Sequence, residues 1–461
     1  MKYLIKTYGC QFNYSDSERI AAVLEGIGFA PAKGDEDANL VVFNTCSIKQ
    51  KAEDKVFGRL VKFEQMKRKK KNLIVALTGC MVRKTSTKKS PALEQDKLVK
   101  NLVPVDFVFR IEDCANLPEL IKEIAPQFKL RGALDEIDSG SLKNYFKIIP
   151  KYNSRFQAFV PIASGCDKFC AYCIVPYTRG RERSRPMKEI LTECKKLVED
   201  GCKEITLLGQ NVDSYGLSFL DRKEKRFKAL KPGGKIYFTK LLEAVDKLKT
   251  RGLCRVRWTS PHPRDMTDDL ISAVKTLKTQ MPYIHLPVQA GSDNTLRRMN
   301  RPYTVEHYVG LIKKIRKVMP DCSISTDIIV GFCGETKKDF NKSCALYKKI
   351  KWDMAYMSKY SMRKYTAAHK IMKDDVPEKE KERRWRALNE IIKACSLGRN
   401  RFFLGKTVNV LVERCKNGIC EGMSEHSKRT QFAGSPKLIG EIVPVKVKKA
   451  LEWNLVGKIT K

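Results

Sequence analysis

Long apolar runs are missing: nowhere in the 461 residues does a hydrophobic stretch approach the length that spans a bilayer. The residues after Met1-Lys2 enter a mixed strand pattern rather than the apolar core of a secretory leader, so the expectation is a cytoplasmic protein with no membrane role. Acidic residues are scarce, 52 against 90 Lys and Arg, and the formal net charge of +38 suits a polyanion such as nucleic acid, with an acidic membrane surface as the rival. Histidine is scarcer still. The five residues His262, His285, His307, His369 and His426 match no zinc or catalytic motif, which leaves structural or surface roles as the default. Low-complexity segments of consequence are absent as well.

Cysteine is abundant. Sixteen cysteines in a long chain of a reducing compartment do not read as a disulfide framework, so metal ligands or buried thiols come first and spacing must decide. A length of 461 residues also points to two or three domains rather than one core.

The first hundred residues repeat one unit three times: an apolar strand, a tight turn carrying a cysteine, then a helix. Tyr3–Tyr8 runs into Gly9-Cys10, Leu40–Phe43 into Asn44-Thr45-Cys46, and Leu73–Thr78 into Gly79-Cys80. Ser15 with Glu18 reads as a capping box after the first turn, with Gly26 and Gly28 closing that helix. Strands and helices alternating at this spacing imply a right-handed parallel sheet whose ligands collect at the strands' carboxyl ends, where all three cysteines fall. Breakers from Phe128 to Asn153 mark a linker. Beyond it six strands are expected at Ala158–Ile162, Glu204–Leu208, Arg255–Thr259, Tyr283–Leu286, Ser323–Val330 and Met354–Tyr360, with helices Met187–Asp200, Val305–Met319 and Lys337–Ile350 between. Six units are too few for an eight-fold barrel and favour an open (β/α)6 partial barrel. A basic helical stretch, Pro377–Ser396, leads to Gly-punctuated strands Thr407–Glu413 and Ile439–Val447, a small all-β module of oligonucleotide-binding type. The fold class is thus α/β with a β tail, divided as 1–127, a linker 128–153, 154–396 and 397–461.

Cys166, Cys170 and Cys173 put three thiols in eight positions directly after a strand, in CxxxCxxC spacing. Structural zinc wants four ligands, usually as two pairs, and no fourth Cys or His stands nearby. Three thiolates on a short loop suit a cubane cluster with one iron left open. Polar residues at the barrel strand ends, Gln210 and Asn211, Ser260, Gln289 and Asp327, stand where a cofactor would be contacted, although helix caps use the same positions. Thr178-Arg-Gly-Arg-Glu-Arg-Ser-Arg185 concentrates four arginines beside the loop; a solvated turn is the plain reading, and phosphate contact with RNA or ordering of the cavity is the functional one. The other ten cysteines, Cys114, Cys194, Cys202, Cys254, Cys322, Cys333, Cys344, Cys395, Cys415 and Cys420, share no metal spacing and read mostly as small buried hydrophobes. Cys415 and Cys420 flank a hairpin turn, where a metal pair is the unfavoured option.

The CxxxCxxC loop resembles the radical S-adenosylmethionine superfamily, and nearly the whole chain is similar to its methylthiotransferases, within them to the type acting on isopentenyl-adenosine in tRNA. The residues carrying this are Thr7–Asn13, Asn44–Ser47 with Lys51-Ala-Glu53, Cys173–Glu182, Leu208–Asn211 with Ser214-Tyr-Gly216, His285–Gln289 and Asp327–Gly331. The resemblance implies two [4Fe-4S] clusters, one on Cys166, Cys170 and Cys173 and an auxiliary one on Cys10, Cys46 and Cys80. It also implies S-adenosyl-L-methionine as cofactor and a tail of TRAM type. One cluster would cleave the cofactor to a radical that takes hydrogen from carbon two of the adenine; the other would deliver sulfur. Implied partners are tRNA, an electron donor such as a flavodoxin or ferredoxin and a sulfur or iron–sulfur donor system, for a monomeric enzyme. Departures are Cys333 in place of Pro, Lys364-Tyr365 in place of Pro-Gly, and Val82-Arg83 in place of Ala-Gln. Open alternatives are a sister enzyme acting on threonylcarbamoyl-adenosine or a ribosomal-protein aspartate, a non-enzymatic iron–sulfur RNA-binding regulator, and a zinc-stabilised RNA-binding protein.

Overall fold

A computed structural model describes residues 1–47, 50–82, 104–130, 142–225, 227 and 233–460. Arg83 and residues 131–141 of the expected linker lie outside the described residues.

The amino-terminal sheet consists of β1 (Lys2–Thr7), β2 (Ala30–Pro31), β3 (Leu40–Thr45), β4 (Ile74–Gly79) and β5 (Phe107–Val108), in the order β2-β1-β3-β4-β5 and wholly parallel. Leu40 and Val42 pack with Ile20, Leu24 and Phe107, whereas Val41 and Phe43 pack with Val56, Leu60 and Phe63. Alternation along one strand thus fills two cores, one per face, as a parallel sheet covered on both sides requires. The first helix, Gln11–Gly26, starts one turn earlier than the Ser15–Glu18 pattern predicts. Its capping box is formed by Cys10 and Asn13. Ser15 and Glu18 lie inside the helix and spend their polar groups on the next unit, Ser15 against Phe159 O and Glu18 accepting from Asn153 N at 3.0 Å.

The central unit has β6 (Gln157–Pro161), a small pair of β7 (Ala163–Ser164) with β8 (Arg183–Ser184), then β9 (Glu204–Leu208), β10 (Arg255–Trp258), β11 (Tyr283–His285), β12 (Ser323–Val330) and β13 (Met354–Lys359). Sheets β10-β9-β6 and β11-β12-β13 are both parallel, and a parallel bridge from Val256 to Gln280 joins them. The six expected strands are therefore present, each within a residue or two. Helices Met187–Glu199, Val305–Val318 and Lys337–Ile350 cover the sheets, and Trp352, Tyr308, Tyr347 and Phe238 sit fully buried in the common core. Full burial of each such ring contributes about 1.5–3 kcal/mol.

The helix Glu378–Arg401 leads to a closed barrel of β14 (Thr407–Lys416), β15 (Ile419–Ser424), β16 (Arg429–Ala433), β17 (Ile442–Ala450) and β18 (Asn454–Ile459), in the order β14-β15-β16-β18-β17. The sequence shows two of these strands; β15, β16 and β18 are too short and polar to stand out. Asn417 and Gly418, both at positive φ, form the tight β14–β15 turn. Cys415 and Cys420 face each other across it and are joined as a disulfide rather than left as thiols, with Cys420 fully buried as expected and Cys415 half-buried. The module is seated at the amino ends of the central strands: Arg255 donates to Asn409 O at 2.6 Å and Met423 O at 2.9 Å, Arg257 to Ser427 Oγ at 2.7 Å, and Lys428 pairs with Asp353 at 2.9 Å.

Candidate metal-cluster site

Each cysteine of the first set sits just past a strand of the amino-terminal sheet. Close packing of the three turns depends on glycine. A Cβ on Gly9 would fall 2.6 Å from Cys46 Cβ, and one on Gly79 would fall 2.4 Å from Thr45 O; both residues have positive φ. Two buried asparagines tie the turns together. Asn13 accepts from Cys10 N and Sγ, both at 3.3 Å, and donates to Asn44 Oδ1 and Thr45 O at 3.0 Å, while Asn44 donates to Asn13 O at 2.7 Å. Cys80 N donates to Thr45 O at 2.8 Å. Cys46 and Cys80 are buried and Cys10, at the helix start, is exposed.

The second set lies on the irregular loop after β7. Gly165 (φ +84°) lets this loop touch the arginine-rich turn, since a Cβ there would meet Arg181 O at 2.2 Å, and Cys166 N donates to Gly180 O at 3.2 Å. Cys166 and Cys170 are buried and Cys173 half-buried. Burial raises the Cys173 thiol to about 12, and the neighbouring Cys170 and the more distant Cys80 push in the same direction. That last influence means that one thiol of each set, Cys80 and Cys173, lies within electrostatic reach of the other. Burial likewise raises Cys80, with Cys10 adding to the rise and Arg179 opposing it.

Among the described residues no three His, Cys, Asp or Glu side chains converge on one metal ion. A cubane cluster does not ask for that, because each thiolate binds its own iron at a separate corner. The sets fit such a group: three thiols each, no carboxylate or imidazole completing a zinc-like tetrad, and, at Cys80, Cys166 and Cys173, burial that disfavours thiolate unless cationic iron is present.

The five strand-end residues do different things. Gln210 Oε1 accepts from Gly165 N at 2.7 Å, fixing the cysteine loop. Asn211 donates to Asp265 at 3.1 Å, and Asp265 in turn pairs with Lys168 of that loop. Ser260 and Gln289 have left-handed backbones with φ of 60° and 71°. Gln289 N donates to Asp327 O at 2.8 Å, and the Asp327 carboxylate lies 3.5 Å from His285 Nε2. Gln210 and Asn211 thus converge on the cysteine loop, whereas Gln289 and Asp327 stand together on the opposite half of the barrel. His262 is buried with its ring edge on Tyr303, and burial, followed by Arg301, lowers it to about 2.

Of the four arginines between Thr178 and Arg185, two are neither solvated nor open to phosphate. Arg179 pairs with Asp16 of the amino-terminal helix at 2.6 Å, and Arg185 with Glu193; both arginines are 5 % exposed. Arg181 lies over the rings of Phe169 and Phe219 and pairs with Asp167 at 2.7 Å, so the turn orders the cysteine loop. Sequence reasoning missed Arg301. Its buried guanidinium donates to Cys170 Sγ at 3.4 Å and to Pro287 O at 3.0 Å, and no motif surrounds it. Cys333 is fully buried beside Phe332 and Tyr360, as a core side chain.

Three family models match consecutive parts of the chain: "Uncharacterized protein family UPF0004" over residues 2–102, the radical SAM superfamily over 160–346 and the TRAM domain over 401–460. A tRNA-2-methylthio-N(6)-dimethylallyladenosine synthase of Clostridium perfringens is 38% identical over 99% of this chain and 97% of its own length. One of Clostridium botulinum strain Okra is 40% identical over 99% and 96%. Among solved structures, the radical S-adenosylmethionine methyltransferase TsrM from Kitasatospora setae covers 77% of this chain and 72% of its own, at TM-score 0.51 and 12% identity, a likeness of fold.

Proposed function

Because this chain belongs to the tRNA methylthiotransferase family of radical SAM enzymes, in common with the tRNA-2-methylthio-N(6)-dimethylallyladenosine synthases, we propose the following division of labour among its residues. The enzyme adds a methylthio group to carbon two of isopentenyl-adenosine at tRNA position 37. Cys166, Cys170 and Cys173 would hold the [4Fe-4S] cluster that binds S-adenosyl-L-methionine, and Cys10, Cys46 and Cys80 the auxiliary one. When bound, these groups supply radical hydrogen abstraction and sulfur, chemistry that no polar side chain performs on an aromatic carbon–hydrogen bond.

The observation that carries the reading is that Cys80 of one set and Cys173 of the other lie within electrostatic reach across a boundary held by buried ion pairs. Cys80 acts electrostatically on Cys173, and buried pairs lock the two units together there: Asp16 with Arg179 at 2.6 Å and Glu53 with Arg363 at 2.7 Å. A base extruded from its stack would then be within reach of both sets. Gln210, Asn211, Ser260, Gln289 and Asp327 line the strand ends as cofactor contacts, with Gln210 holding the loop as well. The unit 1–127 carries the auxiliary set, 154–396 the radical site, and 397–461 contacts RNA phosphates with its basic strands. A flavodoxin or ferredoxin supplies electrons and a sulfur-mobilising system renews the auxiliary site. The enzyme works as a cytoplasmic monomer; no helix among the described residues is long and apolar enough to cross a membrane.

Mass spectrometry of tRNA nucleosides from cells with and without the gene tests the function. Loss of the methylthio-isopentenyl nucleoside is expected; loss of the threonylcarbamoyl derivative alone would overturn the substrate assignment.

A further inference from the structure

Arg179 belongs to the barrel by sequence and to the amino-terminal cysteine set by position. It follows the short helix Val175–Thr178 that leaves Cys173, and its backbone N donates to Val175 O at 2.8 Å. From there its side chain, 4% exposed, crosses the domain boundary. Nη2 donates to Asp16 Oδ2 at 2.6 Å, and the guanidinium lies 4.2 Å from the centroid of the Phe12 ring. Asp16 is held in turn by Tyr145 Oη at 2.6 Å, so the guanidinium cannot swing toward solvent without breaking a buried pair. Its other amino group, Nη1, makes no well-aligned hydrogen bond among the described residues, although the guanidinium is close enough to the Cys80 thiol to favour its thiolate as a donor does. The guanidinium faces the Cys80 thiol, with Cys10 also within its electrostatic reach. A buried donor left unmade is costly, and a cation aimed at a group of thiols is a natural partner for the negative sulfurs of a bound cluster.

We propose that Arg179 is a positioning residue of the auxiliary cluster, donating through Nη1 to its sulfur ligands so that a side chain of the barrel sets that cluster's reduction potential. The proposal rests on the ligand assignment above. Donors and positive charge beside a cluster stabilise its reduced, more negative state and raise its potential. The same residue pairs with Asp16, so the potential becomes sensitive to docking of the two units.

The test uses the full chain carrying Cys166→Ala, Cys170→Ala and Cys173→Ala, reconstituted with iron and sulfide so that only the auxiliary cluster remains. Redox titration followed by electron paramagnetic resonance compares Arg179, Arg179→Lys and Arg179→Gln. The expected result is a tenfold shift of the reduction equilibrium against the reduced state in Arg179→Gln, about 59 mV for a one-electron couple, with a smaller shift of the same sign in Arg179→Lys. In the complementary background with Cys10, Cys46 and Cys80 replaced by Ala, the barrel cluster's potential should not move. An unchanged auxiliary potential at full iron content overturns the proposal. If Arg179→Gln assembles no cluster, the lysine variant decides: a same-sign shift supports the proposal and an unchanged potential overturns it. Absence of any cluster in the parent with Arg179 intact would sink the ligand assignment, and the proposal with it.

Discussion

Removal of the Asp353 carboxylate should release the carboxyl-terminal module from the barrel without touching either cysteine set. Asp353 precedes β13 and is 4 % exposed. One oxygen accepts from Ile324 N at 2.9 Å; the other accepts from Lys428 of the module at 2.9 Å and from Arg399 of the preceding helix at 3.2 Å. Lys428 is buried too, with its side chain 8% exposed, so Asp353→Ala leaves an ammonium without a partner in the interface. Breaking one side of a buried pair costs about 3–5 kcal/mol. The module's other attachments include hydrogen bonds from Arg255 and Arg257, the exposed Lys203–Glu441 pair at 2.6 Å and Asn400 donating to Leu451 O at 2.7 Å, none of which neutralises Lys428, so the module relieves the stranded charge by opening. At about 1.4 kcal/mol per tenfold, the lower figure shifts docked against undocked by about 100-fold. Limited proteolysis in the joint near Phe402–Lys406 reports the open fraction when opening is fast relative to cleavage. Asp353→Ala should be cut about 100-fold faster than the native chain, whereas Asp353→Ala with Lys428→Met should recover most of the protection, since the buried ammonium is then gone and Arg399, its side chain 21% exposed, can be hydrated. A single variant cut at the native rate, or a double variant cut as fast as the single, would refute this account of the interface.

Replacing Cys10, Cys46 and Cys80 by Ala should keep about half the iron and reductive cleavage of S-adenosylmethionine while abolishing methylthio-adenosine, on the basis of one cubane per set; iron assay, 5′-deoxyadenosine and nucleoside analysis run side by side check it, and full product would defeat it. Gly165→Ala forces a Cβ to 2.2 Å from Arg181 O at φ +84° and should lose the other half of the iron, with the auxiliary signal intact. Affinity for tRNA should fall steeply with salt for the full chain and less so for a chain ending near Asn400, with equal slopes counting against phosphate contacts by the module. Burial lowers His426, between Phe403 and Asp353, from 6.5 to about 4. The unfolded chain therefore binds the extra proton between those values, and His426 should contribute a rise of stability with pH across about 4 to 6.5; His426→Gln removes that contribution in denaturant titrations, while the buried His262 still supplies its own rise.

The parallel units were legible because local pattern and tertiary role agree: Leu40–Thr45 and Ser323–Val330 are buried runs that read as central strands from their residues alone. The start of the first helix was not. Ser15 and Glu18 have the spacing of a capping box, yet their polar groups are consumed at the domain boundary and Cys10 takes the cap instead. The module's β15, β16 and β18 were hidden because small closed barrels use short strands with one polar face. Within the site, the cysteine spacing carries its own chemistry, whereas Arg301 and Arg179 act through partners more than a hundred residues away, at Cys170 and Asp16. Such pairs leave no periodic trace in one sequence.

The boundary between the first two units is ionic rather than greasy, and the reaction gives a reason. Asp16 with Arg179 and Glu53 with Arg363 cross it and are each substantially buried, and Arg19 lies 3.7 Å from Glu193, which Arg185 of its own unit also holds. Pairs of this kind add little net stability, since desolvation offsets most of the attraction. An apolar interface tolerates a slide by one side chain, because dispersion and burial are non-directional. A set of buried ion pairs does not, for each displaced charge is stranded at about 3–5 kcal/mol. If the two cysteine sets serve one base, as proposed, they need a fixed separation, because a misplacement of about 1 Å costs on the order of a hundredfold in rate. The charged boundary supplies that fixed register where hydrophobic packing alone would leave it loose.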